Sequence, residues 1–139
     1  MIVGILKETQ KHELRVSATP ETVKKLIQSE HSVFIEKDAG KGAFISNNNF
    51  KDAGATILES ENDIYNKSDI IFKVNPLNKD ELEKLKNGST VISFFQIKDE
   101  IDYISKYINK NISLFSMSHI PRITLAQNMD ALSSQSNIA

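Results

Sequence analysis

The chain has 139 residues, 40% of them apolar and 25% charged, with a net charge of −1 and no cysteine. This length suits one domain with a substantial core. The near-neutral balance gives no electrostatic case for nucleic acid. Without cysteine there are no disulfides and no thiolate metal sites, as expected of a cytoplasmic protein. No apolar run approaches the roughly 20 residues a membrane-spanning helix needs. Residues 1–6 lack the charged start and long apolar centre of a signal peptide. The three histidines, His12, His31 and His119, are too scattered for metal-ligand spacing.

In chain order, short and nearly continuous apolar runs recur: Ile2–Leu6, Ser32–Glu36, a weaker Thr56–Leu58, Asp69–Val74, Thr90–Phe95 and Ile112–Met117. Continuous rather than alternating runs predict strands covered on both faces, as in a parallel sheet. Helix signals lie between them. Thr19 before Pro20 is an N-cap with proline at the first helical position, and Val23, Leu26 and Ile27 follow as an apolar stripe. Ser60 with Asp63, and Asn78 with Glu81, place acceptors at two further helix starts. Asn47–Asn49 reads as a loop leading into a short helix at Phe50. Asp99 opens another helix, with Ile101, Ile104, Tyr107 and Ile108 facing inward. This alternation predicts an α/β domain: a three-layer open parallel sheet with helices on both faces, flavodoxin-like or Rossmann-like. Neither G-x-G-x-x-G nor G-x-x-x-x-G-K-[ST] occurs, so a dinucleotide's pyrophosphate would be gripped by residues outside this sequence.

The last stretch is the most informative. Pro121 disfavours helix at Ile120. Thr124 and Gln127 have capping-box spacing, and Leu125, Met129 and Leu132 fall on one helical stripe. Gln127, Asp130, Ser133 and Ser134 then share the opposite face, with Arg122 just upstream. Such a face suits a flat polar ligand, although a polar helix face is ordinarily just solvated. Arg15, in the loop before the first predicted helix, would by itself be an ordinary surface residue. Lys73 in DIIFKVNPL either snorkels from a strand end or lines a cleft there.

PRITLAQNMDALSSQSNIA resembles the signature of the alanine dehydrogenase and pyridine-nucleotide transhydrogenase family, PRI-[ST]-RAQ-x-[ML]-DALSS-x-[AS]-NIA. Leu125 stands where that family usually has a second arginine. The opening strand, the KE that follows and the loop leading to TP at Thr19 and Pro20 resemble the family as well. The resemblance implies that Arg122, Gln127, Asp130 and Ser133 meet the nicotinamide end of NAD(H). It also implies that Arg15 and Lys73 line the pocket, since alanine-oxidising members use the matching residues on substrate carboxylate and ketoacid oxygen. Those members carry an acid–base histidine where Gln96 aligns here. An amide cannot exchange that proton near neutral pH, whereas hydride exchange between two nicotinamide rings requires no such transfer. KVN, VISFF and SMSHIPRIT are also closer to the transhydrogenase branch.

The resemblance therefore implies the N-terminal domain of an NAD(H)-binding alpha subunit of a proton-translocating NAD(P) transhydrogenase. An alanine dehydrogenase-like fragment and a non-catalytic α/β binding module are the alternatives. The implied partners are NADP(H) held on another domain, membrane components and a second copy in a homodimer. The implied place is the cytoplasm, peripheral to the inner membrane. Residues 1–139 are expected to be one domain, excised or truncated from a parent protein that supplies the Rossmann domain, and inactive alone.

Overall fold

The computed structural model describes residues 1–96, 101–127 and 129–131, without the side chains of 101–103. Six strands form one parallel sheet: β1 (Ile2–Ile5), β2 (Ser32–Glu36), β3 (Thr56–Leu58), β4 (Ile70–Phe72), β5 (Thr90–Ser93) and β6 (Ser113–Ser116). Each falls within an expected apolar run. Their spatial order is β3-β2-β1-β4-β5-β6. Of the two arrangements anticipated, this is the Rossmann one, because the chain builds outward from β1 to β3 and then returns beyond β1 to lay down β4.

Helices cover both faces. On one, Val3, Ile5, Val33 and Ile35 pack with Val23 of α1 (Pro20–Gln28) and Phe50 of α2 (Asn47–Asp52). On the other, Leu6, Ile71 and Val91 pack with Ile64 and Tyr65 of α3 (Glu61–Lys67), Leu82 of α4 (Lys79–Lys84) and Tyr107 of α5 (Ile101–Asn109). Period-two alternation explains the split, since successive side chains of β1 enter opposite layers.

Local signals explain most helix starts. Thr19 accepts the Thr22 N–H at 3.2 Å, and Asn78 and Glu81 form a reciprocal capping box. Ser60 precedes α3 without a side-chain capping bond. Asn47–Asn49 is not the anticipated loop: Ser46 and Asn49 form a capping box that makes the run the first turn of α2. Ile108 is exposed rather than inward-facing, and Tyr107 next to it takes the buried place. Asp99 lies outside the described residues.

The terminal segment departs further. Thr124–Ala126 is a 3-10 turn without a side-chain cap, not an α-helix capped by Thr124. Leu125 is 91% exposed and Met129 is also exposed. A periodic stripe makes a helix only when it has apolar surface to bury against. Leu132 lies outside the described residues. Ile120 is extended, as the following proline requires.

Gly4 lets α3 approach β1 closely. A Cβ there would sit 2.3 Å from Ser68 Oγ and 2.6 Å from an Ile64 methyl. Gly4→Ala is expected to cost about 1–3 kcal/mol by overpacking. The check is a lower urea midpoint with an unchanged m-value.

Candidate functional site

Open α/β sheets place ligands beyond the carboxyl ends of their strands, where the strand order reverses. Here that switch point lies between β1 and β4, and Glu8 crosses it. Its buried carboxylate accepts the backbone N–H of Val74 at 2.6 Å, the N–H of Asn75 at 3.3 Å and the Asn75 side-chain amide at 3.1 Å. The Asn75 amide also donates to Glu13 at 3.0 Å. Glu13 in turn holds Arg15 through two parallel bonds, Nε to Oε1 at 2.8 Å and Nη2 to Oε2 at 2.6 Å. A fork of this kind is strong and fixes the guanidinium plane.

The larger cleft beside this network has a volume of about 620 Å³. Phe94 and Gln96 enter it from the exit of β5, and Met117, Ser118 and Ile120 from the segment after β6. Arg122, Asp130 and Ala131 come from the terminal segment, and Arg15 from the loop after β1. Four apolar side chains thus face two guanidinium groups, an amide, a hydroxyl and a carboxylate. His119 lies at the same end of the sheet, its Nδ1 2.9 Å from Ser116 Oγ, and Ser116 donates to the Phe95 carbonyl at 2.8 Å. A smaller cavity of about 260 Å³ adjoins, lined by Lys7, Glu8, Glu13, Asp38 and Lys41 among others, and Arg15 lines both.

The residues singled out in the sequence divide as follows. Arg15, Arg122 and Asp130 share the cleft, as does Gln96. Arg122 is exposed and Asp130 is buried. Gln127 is exposed and is not among the residues lining the cleft. Ser133 lies outside the described residues. Lys73 does not line the cleft: its side chain, 1% exposed, pairs with Glu81. The cause is local, because the α4 capping box already aims Glu81 at the end of β4, where its second oxygen accepts the Asn78 N–H at 2.7 Å. Sequence reasoning passed over Glu8, Glu13 and Asn75. The one visible signal was the polar Asn75 following an apolar strand and preceding Pro76, a place where a side chain ends up at the sheet's functional edge.

The alanine dehydrogenase/PNT N-terminal domain family matches residues 4–139. The chain belongs to that family. Among family relatives, it is 38% identical over 139 residues to the NAD(P) transhydrogenase subunit alpha of Haemophilus influenzae, covering 100% of this chain and 27% of that protein. It is 35% identical over 139 residues to the NAD(P) transhydrogenase subunit alpha of Cereibacter sphaeroides, again covering 100% and 27%. An alanine dehydrogenase of Methanococcus maripaludis is 31% identical over 113 residues, covering 81% and 30%. The solved transhydrogenase of Sinorhizobium meliloti superposes with a TM-score of 0.92 at 34% identity, covering 99% of this chain and 41% of that one. The chain thus spans less than half the length of these relatives. Among its described residues, no helix is long and apolar enough to cross a membrane.

Two outcomes follow from the carboxylates. The Arg15 fork, with help from Asn75, holds the Glu13 carboxyl down at about 2, against an ordinary 4.5. A depressed carboxyl contributes stability that is full above its unfolded value and is lost as pH falls through the folded one. Stability should therefore decline from about pH 4.5 toward about pH 2, and Arg15→Ala should flatten that portion of the profile in acid–urea titrations. Glu81→Ala would strand the buried Lys73 ammonium and is expected to cost about 3–5 kcal/mol. Chemical unfolding measures this, with the paired Lys73→Met/Glu81→Leu variant expected to lose much less.

Proposed function

We propose that this chain forms the nicotinamide-facing portion of the NAD(H) site of a proton-translocating NAD(P) transhydrogenase, as the N-terminal domain of its alpha subunit. The observation that carries this reading is Gln96 in the cleft. The resemblance aligns it with the acid–base histidine of the alanine-oxidising members, where an amide cannot exchange the proton that amino-acid oxidation needs.

The cleft suits a flat polar ring. Phe94, Met117 and Ile120 offer apolar contact and exclude water. Gln96 and Asp130 supply the amide and carboxylate to hold a carboxamide and fix ring rotation, and Arg122 supplies hydrogen-bond donors at the mouth. Gln127 and Ser133 remain in the proposed NAD(H)-binding set on the strength of the resemblance. Nicotinamide, when bound, supplies the hydride chemistry; these residues supply position, which is the main protein contribution to such a transfer. The pyrophosphate is held by the Rossmann domain. NADP(H), the membrane component and a second alpha subunit are the remaining proposed partners, and they would hold this domain at the cytoplasmic side of the inner membrane. The isolated domain is proposed to be inactive.

The test uses the full-length protein. It is expected to bind NADH and, with the NADP(H)-holding partner present, to support reduction of an NADP⁺ analogue. Arg122→Ala and Asp130→Asn, each removing a charge-assisted contact, should weaken NADH binding about tenfold or more. Robust NADH oxidation dependent on pyruvate and ammonia would overturn this reading in favour of alanine dehydrogenase. Folded protein that fails to bind NADH at millimolar concentration would instead make it a silent module.

A further inference from the structure

No residue of the strand-end motif KVN lines the ligand cleft, but the contacts of Asn75 give it a role beside it. The side-chain amide sits between two carboxylates, 3.1 Å from Glu8 and 3.0 Å from Glu13. Glu8 is fixed, because it is buried and also takes the backbone N–H of Val74. Glu13 belongs to the loop after β1, whose neighbouring Leu14 is exposed. The Asn75 amide is therefore a link between the end of β4 and the loop that carries Arg15. Ser17 Oγ, donating to the Phe72 carbonyl at 3.1 Å, is another, and the amide is the one that reaches Glu13.

We infer that Asn75 is a positioning residue for Arg15, acting through Glu13. The inference rests on the reading of the cleft as an NAD(H) site only for its functional consequence. Two parallel bonds orient the guanidinium relative to Glu13. The bonds of Glu13 to the Arg15 backbone N–H at 3.0 Å and to the Gln10 carbonyl at 3.1 Å are local to the loop, so the Asn75 amide is the contact that ties the Glu13 carboxylate to the sheet. Two like carboxylates would also repel across the gap between Glu8 and Glu13, and an amide donor shared by both offsets that repulsion. Arg15 borders both the 620 Å³ cleft and the 260 Å³ cavity, so its position sets the partition between them. Without Asn75 the Glu13–Arg15 pair moves and the partition is lost. An asparagine serves better here than an acid or a cation: an aspartate adds a third negative charge, and a lysine competes with Arg15 for Glu13.

The test follows the Arg15 side-chain Nε–H in full-length protein carrying ¹⁵N-arginine. Asn75→Ala is expected to speed hydrogen exchange at that group about tenfold, while the Ile71 backbone N–H in β4 keeps its protection. Asn75→Asp, nearly the same size, should do the same and serves as the second variant if the alanine protein folds poorly. Unchanged Arg15 exchange in either folded variant overturns the proposal. NADH titration then separates the two readings. If Arg15→Lys weakens NADH binding, the double variant with Asn75→Ala should bind no more weakly than Arg15→Lys alone, and additive losses would sink action through Arg15. If Arg15→Lys leaves NADH binding intact while Asn75→Ala still frees the guanidinium, positioning stands and Arg15's role in the NAD(H) site falls.

Discussion

The Glu8 carboxylate, laid across the gap between β1 and β4, is the contact on which the working edge of this domain depends. Parallel strands that diverge at a switch point expose backbone N–H groups at their carboxyl ends, and buried donors need partners. Glu8 meets the donors of Val74 and Asn75 with one side chain. Those two backbone donors are thus met from within the chain. The open cleft is displaced toward β5 and β6, where Gln96 and the terminal segment supply its walls.

That displacement has an electrostatic consequence. Of the cations expected at this edge, Arg15 is matched by Glu13 and Lys73 by Glu81. The two pairs differ in kind. The Arg15 guanidinium is largely solvent-facing, so its Coulomb attraction is screened and the geometry of the fork matters more than the energy. Lys73 and Glu81 are out of water, so each depends on the other to avoid an uncompensated buried charge. An edge of this sort favours a ligand recognised by shape and hydrogen bonds over one recognised by net negative charge.

The framework was legible in the sequence because its cause is local. Strands buried on both faces must be apolar throughout, so the runs at Ile2, Ser32 and Thr90 announced themselves. Thr19–Pro20 and Asn78–Glu81 were readable because a cap is set by a few adjacent side chains. The site was legible only through resemblance. Arg15 lies far before Asn75 in the chain and farther still before Arg122, and no periodicity encodes their meeting. The Lys73–Glu81 pair was missed for a related reason: the capping role of Glu81 was visible, while the use of its other oxygen depends on how α4 lies against the end of β4.

The terminal segment shows where a periodic pattern stops being sufficient. Leu125 and Met129 have helical spacing, yet the backbone at Thr124–Ala126 takes a tighter turn and both side chains face solvent. An amphipathic pattern states which side would be buried, and the free energy to form the helix comes from the burial. Asp130 and Arg122 nevertheless reach the cleft, after the extended Ile120 and a tight turn in which the Ile123 N–H donates to the Pro121 carbonyl at 2.9 Å. Delivery of the polar groups thus depends on the turn, and their fine orientation on what the stripe packs against. The two can be separated experimentally, since Leu125, exposed in this structure, can be changed while Pro121 and the path of the chain stay in place.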